Sequence, residues 1–429
     1  MKNLIQSIKG TRDFYPQEMG VRNFLYATMR RVSEAYGYQE YDGPFLESID
    51  LYAAKSGEEL VKEQSFVFPD RGGDLITLRP ELTPSLVRMV AQRQNQLVFP
   101  LRWWSWGPFW RYERPQKGRT REFFQWNVDI IGAVSPEADA ELAAVMATFF
   151  KEVGLQPDEV QVLVNNRRLM EAELEGLGIG AGLRTDVFRM IDRRDKMPPA
   201  EWEAYVLEGG LITEQLAGLK GLLGDQELWQ KSEELQRFFK AVEALGVNEY
   251  VRFAPHIIRG LDYYTGTVYE AQEQKGDIRR AILGGGRYDN LMADVGGEPL
   301  PGVGFAMGDL VISLILEKMG RLPEQMGNSP AAVLVTVFDE EHMLASIEAA
   351  AELRRAGIKV ACYPAPAKLP KQFKYADRMG IQAVVVIGPD EAANGELTLK
   401  DLRAGTQSRV KRGEAAEAIR EVLESSPGT

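Results

Sequence analysis

The sequence predicts an α+β domain built on an antiparallel sheet with helices, interrupted by a helical insertion and followed by a small C-terminal α/β domain. Three observations carry that prediction. A chain of 429 residues is longer than one hydrophobic core usually serves, so two or three domains are expected. The stretch Asp74 to Gly132 is rich in aromatics and in alternating apolar and polar residues, and Pro80, Pro84, Pro100, Pro108 and Pro115 break it into short pieces, as in antiparallel sheet. Beyond Pro330, strand-like and helix-like segments alternate, the rhythm of a sheet with crossover helices.

The elements follow in chain order. Val21, Phe24, Leu25, Met29, Val32 and Tyr36 recur at three- and four-residue steps, which predicts an amphipathic helix ending near Gly37. Tyr38, Tyr41 and Gly43-Pro44 then suggest a short strand and a turn. A helix is expected over Pro84 to Gln94, with Thr83 as its cap and Pro84 at its first position. From Pro136 the composition turns to Glu, Leu and Ala, and residues 150–250 read as a helical insertion. Strand-like sequence returns at Ile257 to Ala271 and Arg280 to Leu283, followed by a glycine-rich turn and a helix from about Met307. The insertion therefore interrupts one sheet domain, residues 1–322. Residues 323–330, with Pro323, Gly327 and Pro330, form a linker. In residues 331–429 the strands AAVLVTVF, IKVACYP, IQAVVVIG and ELTLKDL alternate with helices, which predicts a mostly parallel sheet.

Composition narrows the chemistry. With 45% hydrophobic and 26% charged residues the chain should fold as an ordinary globular protein. No run of about 18 uncharged apolar residues appears, and the start lacks a signal-like apolar stretch, so a cytoplasmic protein without membrane attachment is expected. Cys362 is the only cysteine and His256 and His342 the only histidines, which removes disulfide frameworks, thiolate zinc sites and most histidine triads. Catalysis must rest on carboxylates, arginines and tyrosines, with Mg²⁺ as a candidate helper. A net charge of −11 opposes indiscriminate binding to nucleic acid but allows local patches. One such patch is Arg111, Arg114, Lys117, Arg119 and Arg121, faced only by Glu113.

Four constellations stand out. If Phe109 to Gly132 is a hairpin, alternation puts Arg111 with Glu113 on one face, and Arg121, Phe123, Gln125, Asn127 and Asp129 on one face of the return strand, with Phe124, Trp126, Val128 and Ile130 behind. In RPELTPSLVRM, Glu81 sits at a rigid turn where a carboxylate can receive an ammonium group, with the Thr83 hydroxyl nearby. IIRGLDYYTGTVYEA puts Arg259, Tyr263 and Tyr264 on a glycine-interrupted strand, where backbone can approach a ligand closely, and LGGGRYDNL gives a glycine triplet before Arg287 and Tyr288. Neither LGGGRYDNL nor Gly176 to Gly182 matches a phosphate-loop or dinucleotide fingerprint. Lys371, Lys374 and Arg378 share one helix face, with Lys368, Phe373 and Tyr375 beside it, a combination suited to unpaired RNA bases. Taken singly, each pattern also fits a structural role: a solvated charge run, a one-sided sheet, packed tyrosines.

Together, GTRDFYP, TLRPELTPSLVRM, FWRYERPQKGRTREFFQWNVDIIG, RGLDYYTGTVYEA and LGGGRYDNL resemble, in order and spacing, the motifs of histidyl-tRNA synthetases, a family of class II aminoacyl-tRNA synthetases. The resemblance covers nearly the whole chain. It implies a class II synthetase type catalytic domain in residues 1–322, an anticodon-binding α/β domain in residues 331–429, and histidine, ATP with Mg²⁺, and tRNA(His) as partners. The segment Gly37 to Pro44 is similar to the motif that forms the class II dimer interface, so a homodimer is expected. The resemblance assigns Arg111 to the ATP α-phosphate, Glu113 to the adenine side, Phe123 to stacking on adenine, and Arg119 to ATP and the acceptor end of tRNA with Lys117. Glu81, Thr83, Gln125 and Asp129 would receive histidine, with Asp129 standing where many members have Glu. Arg259 would be the catalytic arginine, and Tyr263, Tyr264 and Tyr288 would close the pocket. Lys371, Lys374 and Arg378 would meet tRNA. The metal ligands are not assigned. The pattern is broken at Val311, where class II enzymes carry an arginine that clamps ATP; Arg287 or a carboxylate-held Mg²⁺ is the expected substitute. A non-catalytic histidine-sensing relative, such as the regulatory subunit of ATP phosphoribosyltransferase, is the alternative that Val311 supports. A class II synthetase for proline, threonine or glycine would lack the tyrosine run.

Overall fold

The structure is a computed structural model that describes residues 4–53, 63–116, 118–258, 263–276, 278, 280–290, 293, 297–323 and 326–425. It divides into two compact units. The first holds residues 1–13 and 21–322, the second residues 14–20 and 323–429.

The first unit is built on strands β1 (Gln39–Glu40), β2 (Leu46–Ser48), β3 (Phe66–Pro69), β4 (Leu75–Leu78), β5 (Leu101–Trp110), β6 (Glu122–Ile131), β7 (Val160–Asn166), β8 (Val251–Phe253), β9 (Thr267–Glu273), β10 (Leu283–Arg287) and β11 (Gly302–Gly308). Eight of them form one sheet in the order β1-β5-β6-β11-β10-β9-β7-β8, and β2-β4-β3 form a small antiparallel sheet. From β5 to β7 every neighbour is antiparallel, while β1 and β8 add a parallel strand at either edge. The longest pairing runs from Leu101 opposite Ile131 to Trp110 opposite Glu122.

One face of this sheet is closed by helices. The helix Pro136–Glu152 buries Leu142, Val145, Met146, Phe149 and Phe150. Ser135 caps it by accepting from the Ala138 amide, and Pro136 at its first turn needs no donor. Trp126 of β6 lies at its centre, 5.3 Å from Phe149 and 5.0 Å edge-on from Phe305. Its indole N–H donates to Ser33 Oγ at 3.1 Å, so a large apolar ring is buried without stranding its donor. Leu25, Met29 and Val32 of the helix register predicted by the sequence belong to the same core.

Several local expectations change. Leu82, not Thr83, stands at the N-cap of the helix Thr83–Arg93 and no side chain caps it. Pro84 in the first turn already lacks the donor that a cap would satisfy. The stretch 150–250 carries the helices Arg167–Gly176, Ala181–Arg193, Pro199–Glu208, Thr213–Gly224 and Glu233–Ala244, but also β7, whose β-branched VQVLV core joins the large sheet. The glycine triplet is strand rather than turn. A methyl at Gly285 would stand 2.2 Å from the Gly304 carbonyl, and one at Gly286 2.7 Å from that of Thr267. The glycines therefore let β9, β10 and β11 approach one another. The next helix starts at Asp309, after β11 has used Met307.

The second unit contains β12 (Val333–Val335), β13 (Val360–Cys362), β14 (Ala383–Val386), β15 (Glu396–Asp401) and β16 (Gln407–Lys411), ordered β13-β12-β14-β15-β16. The sheet is mixed rather than mostly parallel, because β15 and β16 pair antiparallel. Its core gathers Val333, Val335, Leu353, Val385, Leu397 and Ile419.

Candidate functional site

On the first unit a cavity of about 700 Å³ is lined by Arg111, Glu113, Arg119, Phe123, Gln125 and Val311, among others. Strand alternation explains the membership. On β6, Phe123 and Gln125 face the cavity, while the alternate residues Phe124 and Trp126 are buried. From β9 the same alternation presents Glu270 and Gln272. His256 also lines the cavity, and burial pushes its imidazole below the ordinary value.

The hairpin end that carries the arginines is tied from three sides. Arg111 N donates to Arg121 O at 3.0 Å, and Arg111 Nε to Pro80 O at 2.9 Å. Its guanidinium carbon lies 5.3 Å from the Phe123 ring centre. Arg119 pairs with Glu113 at 3.0 Å, and Gln116 and Arg119 exchange backbone bonds across a turn at Gly118, which has φ +76°. Gly10 O accepts from the Arg121 and Glu122 amides, at 2.7 and 3.1 Å. Gly10 itself has φ +91°, and a methyl there would lie 2.8 Å from Arg121 Cγ, so the N-terminal GTRD motif fits here because of its glycine.

Two supports received no role from the sequence. Arg79 is fully buried, lying between the Phe45 and Phe109 rings at 4.6 Å each and donating to Asp42 Oδ1, Gly43 O and Pro108 O. It locks the turn from which Pro80 offers its carbonyl to Arg111. Asp309 accepts from Phe124 N at 3.0 Å and pairs with Arg12 at 2.7 Å, joining the helix after β11 to β6 and to the GTRD segment.

Four of the other expected residues, Asp129, Tyr263, Tyr264 and Tyr288, form a second, closed group. Asp129 is buried on β6, four residues from Gln125 and on the same face, and Tyr288 Oη donates to it at 2.6 Å. Burial drives the Asp129 carboxyl up to about 7, opposed by the Tyr288 hydrogen bond. Burial and the neighbouring carboxylate also hold the Tyr288 phenol well above its usual value. Tyr263 lies tilted against Tyr264 at 4.8 Å and meets Tyr288 edge-on at 6.3 Å. Glu81 is buried, and its carbonyl receives the Tyr52 hydroxyl at 3.3 Å; Thr83 is half-buried at the helix start. Glu81, Thr83, Asp129, Tyr263, Tyr264 and Tyr288 do not line the cavity, whereas Arg111, Glu113, Arg119, Phe123 and Gln125 do.

Lys117 and Arg259 lie outside the described residues. Arg287 does not substitute for the clamp missing at Val311. It is buried against Asp139, with Nη1 donating to Ala133 O at 2.8 Å, and so serves the core. Among the described residues no group of three or more acidic, histidine or cysteine side chains is placed to hold a metal ion. A protein-built Mg²⁺ site therefore does not fit the described side chains. In the second unit, Lys371, Lys374 and Arg378 are exposed on the helix Leu369–Arg378, which buries Gln372 and Ala376 instead. No helix among the described residues is long and apolar enough to cross a membrane.

An arginine-lined cavity on an antiparallel sheet, followed in the chain by a mixed α/β unit, has clear counterparts. The family model described as histidyl-tRNA synthetase matches residues 10–309, and one described as an anticodon binding domain matches residues 331–422. A histidine–tRNA ligase of Thermoplasma volcanium is 38% identical, over 96% of this chain and 97% of its own. One of Haloarcula marismortui is 36% identical, over 95% and 96% respectively. A crystal structure of histidyl-tRNA synthetase from Nostoc sp. PCC 7120 superposes with a TM-score of 0.84 at 28% identity, covering 98% of this chain and all of that one. The chain belongs to the histidyl-tRNA synthetase family.

Proposed function

We propose that this protein is a histidine–tRNA ligase. The carrying observation is the cavity in which Arg111, Arg119 and Phe123 meet Glu113 and Gln125, inside the segment matched by the family model. In the first step a histidine carboxylate oxygen attacks the ATP α-phosphorus. The bond to the bridging oxygen of the β-phosphate breaks, and pyrophosphate leaves histidyl-adenylate behind. Charge accumulates at phosphorus, so the step needs fixed cations more than a protein nucleophile. Arg111 and Arg259 supply these on our reading, Phe123 stacks on adenine with Glu113 beside it, and Arg119 meets the phosphates. Histidine is received by Glu81, Thr83, Gln125 and Asp129, with Tyr263, Tyr264 and Tyr288 closing over it. In the second step a terminal ribose hydroxyl of tRNA(His) attacks the activated carbonyl and AMP departs.

Division of labour follows the chain: residues 1–322 perform the chemistry, 323–330 link, and 331–429 read the anticodon through Lys371, Lys374 and Arg378, with Lys117 and Arg119 at the acceptor end. Mg²⁺ enters with the phosphates of ATP, the manner in which this ion is usually held at nucleotide sites. We further propose a cytoplasmic homodimer joined through the Gly37 to Pro44 region. A histidine-sensing regulatory role is the weaker reading, because full-length relatives are ligases and the anticodon-domain match supports tRNA as a partner.

The test is exchange of labelled pyrophosphate into ATP with a panel of amino acids. Exchange with histidine alone is expected, and Arg259→Ala should abolish it without unfolding the protein. Tight histidine binding with no ATP cleavage would overturn the assignment in favour of the sensor.

A further inference from the structure

The cavity is lined by five carboxylates, Glu113, Asp192, Asp195, Glu270 and Asp309, and by four basic side chains able to meet phosphate, Arg111, Arg119, Lys196 and Arg280. Three of them are already engaged. Arg111 bonds the Pro80 carbonyl, Arg119 pairs with Glu113, and Lys196 pairs with Asp192 at 2.5 Å. Arg280 has no hydrogen bond or ion pair with any described residue. Its position relative to Val311 is informative. A methyl built on Gly118 would touch Arg280 Cδ at 3.5 Å and Val311 Cγ2 at 3.7 Å, with Arg280 Nη1 at 3.8 Å. The two side chains thus face the same spot beside the Gly118 turn, one charged and one not.

Burial, and after it the nearby charge of Arg119, lower the Arg280 guanidinium below its ordinary value, with the Glu113 carboxylate pulling the other way. Two guanidiniums share one carboxylate, a local excess of positive charge that an anion would relieve. We propose that Arg280 holds the terminal phosphates of ATP and the departing pyrophosphate, doing from the segment before β10 what Val311 cannot do from the helix after β11. This rests on the ATP-dependent reading given above.

Titration calorimetry on the full chain separates the two. Removing a charged hydrogen-bond donor from phosphate should weaken binding about 10- to 100-fold. Arg280→Ala is expected to lose that much affinity for ATP and for pyrophosphate, yet to bind a sulfamoyl mimic of histidyl-adenylate, which lacks the terminal phosphates, within about twofold of wild type. Arg280→Lys should fall between. Introducing Val311→Arg into Arg280→Ala should recover part of the ATP affinity. Unchanged ATP and pyrophosphate binding in Arg280→Ala, or equal weakening of the adenylate mimic, would overturn the assignment. Should the wild-type chain bind ATP through Arg280 but never exchange pyrophosphate, the ligase reading falls while this contact stands.

Discussion

Replacing Asp129 by asparagine should stabilise the first unit at neutral and alkaline pH while impairing histidine binding. The carboxyl is buried and titrates at about 7, against an ordinary 3.8. Because its folded value lies above its unfolded one, the native state holds the extra proton between those limits. Stability conferred by the neutral form is therefore complete at low pH and is lost as pH rises toward the folded value. The full penalty is about 4 kcal/mol, and more than half of it develops between pH 5 and pH 7.5. An amide oxygen can still accept from Tyr288 and does not titrate, so Asp129→Asn escapes this slope. All seven tryptophans, from Trp103 to Trp229, lie in the first unit, so their fluorescence follows its unfolding alone. With an m-value of about 3 kcal/mol per molar urea, the midpoint of the variant should gain on the order of 1 M on wild type between those two pH values. Any constant offset from the amide drops out of that comparison. A midpoint difference that stays flat across this range would show that Asp129 is already charged in the folded protein at pH 5, and the argument from burial would fail.

Other perturbations follow from the same geometry. A methyl at Gly304 would fall 1.9 Å from Asp129 Oδ1 and 2.9 Å from the Val128 carbonyl, so Gly304→Ala should raise KM for histidine far more than KM for ATP in pyrophosphate exchange. Arg79→Leu strands the carbonyls of Gly43 and Pro108, and tryptophan-detected denaturation should show a loss of about 3 kcal/mol. Reversing an exposed cation with Lys371→Glu should lower kcat/KM for tRNA roughly tenfold and leave pyrophosphate exchange intact. Equal losses in the two assays would contradict the separation of roles.

Hydrophobic periodicity makes the long elements legible in the sequence. The helix from Pro16 to Ala35 buries Leu25, Met29 and Val32 as its spacing requires. The strand pair around Trp104 and Trp126 can likewise be read from aromatic alternation. What escapes are elements whose residues answer to neighbours. A glycine triplet looks like a turn until the carbonyls of Gly304 and Thr267 are seen to crowd it. β16 is polar and mostly exposed, so nothing in QSRVK announces an edge strand. The cavity lining from Arg111 to Gln125 is legible because it belongs to one contiguous hairpin. Arg79, Asp309 and Arg280 are not, since their meaning lies in what they touch across the chain: a carbonyl under an arginine, an amide on another strand, a corner shared with valine.

The short segment from Gly10 to Asp13 gives the amino terminus an unexpected task. With one carbonyl it grips the hairpin end bearing Arg111 and Arg119, and through Arg12 it holds the carboxylate that opens the helix bearing Val311. It is a clasp closing two walls of the cavity against each other. Trimming the chain past this point, a routine step when tidying an exposed terminus for expression, would unfasten the arginine-bearing side of the cavity while leaving the hydrophobic core whole. The product would be a folded protein whose cavity walls are no longer held together.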